Sequence, residues 1–253
     1  LDDVREWYRY HHLFADYLRS GLAQAEAELL YRKAALWHET NDFTFEGVRY
    51  ALLSGDMDFA ADMIERAVKR ESTWSGGRVS TLSGWLHALP EQVIQARPLL
   101  GLHASRIAYL ASHIDRAEKL LNQAENTIHS RGAAQAGDDH LLALAALYRG
   151  ALHSLHGNVQ AAFDYTQRAL AGLPAEQQLA RARATIHLAQ VYELSGQTSL
   201  AIQTYLESSL LAHEAGVIFL AMNARCAAAI AQSSLGNLDA AAQICSEAIA
   251  LAN

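Results

Sequence analysis

The sequence predicts an all-α superhelix of paired helices, on three observations. Only Pro90, Pro98 and Pro174 interrupt the 253 residues with proline, so few positions forbid a helix. Alanine is abundant and period-two runs of β-branched residues are missing, which favours helix over strand. A helix-turn-helix unit also recurs, with turn glycines Gly157, Gly196 and Gly236 falling 39 and 40 residues apart. A fixed period of that length marks an array of helix pairs, here about five of them.

Taken in order, the first pair is "GVRYALLSGDMDFAADMIERAV" (47–68), with Gly55 at the turn and Ala60 after it. "KRESTWSGGRVSTLSGWLHALPEQVIQARP" (69–98) departs from the pattern. Gly76, Gly77, Pro90 and Pro98 break it around an amphipathic helix carrying Leu82, Trp85 and Leu86, so it reads as an insertion or an irregular pair. "HASRIAYLASHIDRAEKLLNQAENTI" (103–128) places Ser112 at its turn and Ala117 beyond. Three clearer copies follow: 140–174, with "HGN" at His156 to Asn158 and Pro174 as its stop; 181–216, turning at Gly196; and 222–253, turning at Gly236. Small residues stand where the two helices of a unit must approach: Gly150 and Ala162, Ala189 and Ala201, Ala229 and Ala241. They permit helix axes about 8 Å apart. Larger side chains alternate with them at Leu188, Tyr192 and Tyr205, and Ala169 completes the second helix of the 140–174 copy. The spacing resembles the tetratricopeptide repeat, although its period exceeds the roughly 34 residues of the strict form.

Each pair exposes an apolar face that its neighbours cover, so a solenoid with a concave surface is expected, and function belongs on that surface or at the ends. The formal charge of -7 and a pI near 5.9 would repel a phosphate backbone. No run of 18 apolar residues and no secretory start is visible, so a cytoplasmic protein without membrane contact is the expectation. Cys226 and Cys245, the two cysteines, are too few for a disulfide framework; both read as small, buried, apolar residues. The chain starts at Leu1 and stops within "AAAQICSEAIALAN", so it reads as a piece of a longer protein.

"LDDVREWYRYHHLFADYLRSGL" (1–22), then "RKAALWHETNDFTFEGVRYALLSGDMDFAADMIE" (32–65) and "LSGWLHALPEQVIQARPLL" (82–100) resemble, in this order, the large ATP-binding LuxR-type transcriptional regulators of the MalT-like group. The resemblance implies that residues 1–22 close a winged-helix region and that 23–253 form the tetratricopeptide-like effector-sensing domain. It further implies that an inducer binds the repeats and, with ATP on an upstream domain, releases an inhibited monomer into an oligomer that activates transcription. The implied partners are a small-molecule inducer or regulatory protein, the adjacent ATP-binding domain, and further copies of the chain. The sequence contains no G-x-x-x-x-G-K-[ST] phosphate loop and no basic helix-turn-helix. No cofactor and no direct nucleic-acid contact are therefore expected of this segment, with ATP assigned to the upstream domain.

Tetratricopeptide arrays line their groove with the first helix of each pair, and counting from the turns places Arg106, Tyr109, Arg183, Gln190, Glu193 and Asn223 there. Planar hydrogen-bonding groups beside an aromatic ring suit a sugar or small polar inducer. A solvated helix face presents the same residue types. Trp74, in a polar Ser and Gly setting, is the candidate contact with a neighbouring domain or subunit. His11 and His12 point about 100° apart on a helix and cannot chelate one ion together; packing explains them. His153 and His156 could share a face with His187 nearby, but no cysteine or carboxylate completes a ligand set, and they read as surface or groove-lining residues. No G-x-S-x-G, H-E-x-x-H or S-x-x-K stands in a suitable context, so binding is expected and catalysis is not. The alternative is a docking scaffold whose groove stays open to a peptide or protein and forms no pocket of a few hundred cubic ångströms.

Overall fold

The computed structural model describes residues 13–14, 17–18, 21–70, 79–130 and 138–251. The described residues form helices joined by turns and short loops and contain no strand. The helices are α1 (Gln24–Thr40), α2 (Thr44–Leu53), α3 (Met57–Lys69), α4 (Val79–Ala88), α5 (Glu91–Gln95), α6 (Pro98–Leu110) and α7 (Ile114–Ser130). They continue as α8 (Asp138–Leu155), α9 (Val159–Gly172), α10 (Gln178–Leu194), α11 (Thr198–Glu214), α12 (Ile218–Ser234) and α13 (Leu238–Ala250). The chain divides into two compact units, Leu1–Ile64 and Glu65–Asn253, with the boundary inside α3.

In the first unit, α1 packs on α2 through rings. Tyr50 stacks on Tyr31 and on His38, with centroids 6.1 and 5.1 Å apart. Gly47 makes the close approach possible, since a Cβ there would lie 3.2 Å from both the Ala35 carbonyl oxygen and Met63 Cε. Asp56 starts α3 by accepting the Phe59 N–H at 2.9 Å, which satisfies one of the donors a helix start leaves open. Its carboxylate also pairs with Arg32, whose guanidinium lies over the Phe59 ring 4.4 Å from the centroid.

The second unit is a tetratricopeptide-like repeat. α6 packs on α7, α8 on α9, α10 on α11 and α12 on α13, and each pair packs on the next through α7–α8, α9–α10 and α11–α12. The hairpin turns share one construction. A residue with positive φ ends the first helix: Ser112 at 60°, Gly157 at 72°, Gly196 at 78° and Gly236 at 82°. The next N–H then bonds back five residues, His113 to Ala108 and Asn158 to His153 at 2.9 Å, Gln197 to Tyr192 at 2.8 Å, and Asn237 to Gln232 at 3.1 Å. These bonds occupy carbonyls that the helix leaves unpaired and fix the exit direction of the chain.

The small residues lie inside the pairs. Ala162, Ala189, Ala201 and Ala229 are buried, and a Cβ on Gly150 would come within 2.7 Å of Thr166 Oγ1 and 3.3 Å of the Ala162 carbonyl oxygen. Two buried serines tie helices together, Ser105 Oγ donating to the Ala117 carbonyl and Ser208 Oγ to the Ala182 carbonyl, both at 2.8 Å. In α4, Leu82, Trp85 and Leu86 are buried.

The cysteines depart from expectation, because both are exposed. In α12 the buried residues are Ala221, Ala224, Ala228, Ala229 and Ala231, and Cys226 lies about 200° around the helix from Ala224 and from Ala228. In α13 the stripe is Ala241, Ile244 and Ala248, one step from Cys245. Burial follows these stripes, and cysteine's preference for the interior does not override them.

Candidate functional site

The first helices of four successive pairs, α6, α8, α10 and α12, line a cavity of about 540 Å³, with Val79 from α4 at its edge. α6 contributes Arg106 and Tyr109, one turn apart; α8 contributes Leu147, Tyr148, Ala151 and Leu152. From α10 come Arg183, Ile186, His187 and Gln190, whose spacing keeps them on one face. Phe219, Leu220 and Asn223 of α12 complete the wall. The repeat causes this convergence, since stacking equivalent pairs places equivalent faces of their first helices side by side.

Five of the six residues expected in the groove therefore meet in one cavity: Arg106, Tyr109, Arg183, Gln190 and Asn223. Glu193 does not line it. It lies at the last turn of α10 and accepts a hydrogen bond from the Tyr205 hydroxyl of α11 at 2.8 Å. Burial and this carboxylate push the Tyr205 phenol well above its ordinary range. Trp74 and the pair His11 and His12 lie outside the described residues.

Inside the cavity, His187 Nδ1 donates to Gln190 Oε1 at 2.9 Å, and the His187 ring stands edge-on to Tyr109 with centroids 6.4 Å apart. Burial depresses the His187 pKa, the Gln190 bond opposes that shift, and Arg106 and Arg183 add to it. A neutral imidazole results. Burial raises the Tyr109 pKa, so its phenol stays protonated and can donate. Arg106 makes no hydrogen bond or ion pair among the described residues.

A second cavity of about 350 Å³ shares Arg106, Tyr148 and Arg183 with the first, and Lys69, His103, His140 and Gln177 also line it. His103 is buried and held down to about 3, first by burial and then by Arg106, Arg183 and His140. Burial and Lys69 lower His140 likewise. The repeat pattern does not mark this second group. Its members come from α3, α6, α8 and the residue before α10, and no spacing along the chain links them.

His153 stacks on Tyr165 of α9, centroids 5.3 Å apart, and both are half-buried where the two helices of the pair meet. His156 Nδ1 lies 3.6 Å from Glu118, a carboxylate on α7 that only folding brings near. Among the described residues no group of three or more His, Cys, Asp or Glu side chains could hold a metal ion, and no helix is long and apolar enough to cross a membrane.

Comparison with known proteins adds to this geometry. Residues 1–30 match the family described as the MalT winged helix domain. The HTH-type transcriptional regulator MalT of Yersinia pestis (strain Pestoides F) is 26% identical over 224 residues, covering 85% of this chain and 24% of that protein. MalT of Yersinia pseudotuberculosis serotype O:1b aligns to the same extent. In sequence the chain is similar to MalT over most of its length. The serine/threonine-protein kinase PknK of Mycobacterium tuberculosis (strain ATCC 25618 / H37Rv) is 27% identical over 157 residues, 58% of this chain and 14% of the kinase. The chain thus spans a quarter or less of the length of these curated relatives.

Proposed function

We propose that the repeat unit is the effector-sensing segment of a MalT-like transcriptional regulator, and that its effector is a small molecule bound where α6, α8, α10 and α12 converge. The observation that carries this reading is the 540 Å³ cavity on the first-helix faces, a volume typical of small-ligand sites, which span about 300–1,000 Å³. A docking groove for a peptide would run open along the array. Similarity to MalT over 85% of the chain supports a regulatory role.

In this proposal Tyr109, Gln190 and Asn223 give orientation, Arg106 and Arg183 give charge, and the apolar side chains of α8 and α12 enclose the ligand. Occupancy then shifts the repeats between two arrangements, one of which permits self-association. A ligand does this only through unequal affinities for the two. ATP stays assigned to an upstream domain, and the chain itself binds and does not catalyse.

The test is a thermal-shift screen of the chain against sugars, amino acids, aromatic acids and nucleotides, with hits titrated by calorimetry. A ligand at 100 times its dissociation constant adds about 2.7 kcal/mol of stability. Arg183→Ala is expected to weaken binding of the hit at least tenfold, and Glu193→Ala to leave it unchanged. Equal loss in both variants would remove the ligand from this cavity.

A further inference from the structure

The two adjoining cavities differ in character, and the difference lies at the wall they share. Leu147, Leu152, Ile186 and Leu220 make much of the larger one apolar. The smaller adds Lys69 to the shared Arg106 and Arg183. No Asp or Glu lines either cavity among the described residues, in a chain whose net charge is -7. Arg106 and Lys69 thus bring positive charge to linings that include no carboxylate among the described residues, a local potential opposite in sign to the whole molecule.

Buried polar atoms of the two linings lack hydrogen-bond partners, one on the shared wall and two in the smaller cavity alone. Tyr148 is buried with its hydroxyl unpartnered, and His103 Nδ1 and His140 Nδ1 are buried without a partner as well. Arg106 is half-buried and has neither a hydrogen bond nor an ion pair among the described residues. A buried polar group without a partner costs free energy, more so when it is charged, and native proteins satisfy nearly all such groups. An anionic acceptor placed between the cavities would offset that cost, because guanidinium pairs strongly with planar or tetrahedral oxyanions.

We propose that the wall shared by the two cavities receives the anionic head group of an organic ligand whose apolar body fills the larger cavity, with Arg106 as the principal contact. The inference rests on the small-ligand reading above and names the chemical class: a carboxylate or phosphoryl group on a hydrophobic or aromatic body. A neutral saccharide would leave Arg106 without a counter-charge. The apolar wall of the larger cavity would likewise gain little from a free inorganic anion.

A matched pair of fluorescent probes tests this on the chain as it stands. 8-Anilinonaphthalene-1-sulfonate carries an anionic group on an apolar body, and N-phenyl-1-naphthylamine is the same body without it. The sulfonate is expected to bind saturably at one site, at least tenfold more tightly than the neutral amine. Arg106→Gln should bring the two affinities within about twofold while the amine's own affinity holds, and Arg106→Lys should restore part of the preference. Arg116→Gln, on an exposed arginine of α7, should change nothing. 2-Naphthoate and 2-naphthyl phosphate then compete for the site, the stronger competitor naming the head group. Equal wild-type affinities for the two probes, or a preference untouched by Arg106→Gln, would overturn the anionic assignment and leave the small-ligand reading standing. Failure of both probes to bind saturably, with every folded variant retaining its wild-type melting temperature, would overturn the assignment and count against the cavity as a small-ligand site.

Discussion

His103 ties stability to pH. It is buried on α6 among Arg106, Arg183 and His140, and its pKa falls from 6.5 to about 3. The unfolded chain therefore protonates this side chain as pH falls through 6.5, while the folded chain does not. The unfolded state then binds more protons, so stability is lost with falling pH, by about 1.4 kcal/mol per pH unit for one such group. His187 and His140 shift in the same direction. Urea denaturation between pH 7 and pH 5 should show a falling midpoint, with a shallower slope in His103→Gln; a flat profile would contradict the neutral, buried assignment. Arg106, Tyr109, Arg183, Gln190 and Asn223 were legible in the sequence because the repeat fixes which face of each first helix turns inward. Glu193 shows the limit of that logic. The period gives the face, whereas position along the helix axis decides which side chains reach the cavity, and Tyr205 engages Glu193 beyond its end. Tyr148, His103 and Lys69 lay outside the reading because three-dimensional stacking, not spacing, brings them to one wall.

At the scale of elements, the turns were legible because glycine marks a left-handed residue, and Gly157, Gly196 and Gly236 all carry positive φ. Ser112 holds the equivalent place at φ 60° without glycine's freedom, a strain of roughly 1 kcal/mol for an L-residue. Ser112→Gly should accordingly raise stability by about 1 kcal/mol without altering the fold, as read by chemical denaturation. An unchanged or lowered midpoint would show that the serine side chain supports the turn. Within pairs the contact is tight: Ala201 is fully buried on α11 in a cluster with Ala189 of α10 and Tyr205. Ala201→Leu should cost about 1–3 kcal/mol by overpacking, and wild-type unfolding behaviour would place the repeat register elsewhere. The irregular stretch around Pro90 and Pro98 was less legible. Pro98 becomes the first residue of α6, where a missing N–H is harmless, so a residue that reads as a break opens the next pair.

For the whole molecule, the helical class followed from composition and period, and the likeness to MalT from the aromatic-rich opening followed by repeats. The match over residues 1–30 and the alignment over 224 residues agree with that likeness. The ligand was not legible, because a cavity's chemistry depends on which walls adjoin, and four separate helices build these walls. The proposed small ligand would sit against the first helices of successive pairs. Hydrogen exchange on the chain, with and without a saturating ligand taken from the screen, tests it most directly. Added protection is expected in α6, α8, α10 and α12, centred on Arg106 to Leu110 and Arg183 to Gln190, with little change in the distal turns of α7, α9 and α13. Protection confined to the second helices, or absent from the first, would contradict it.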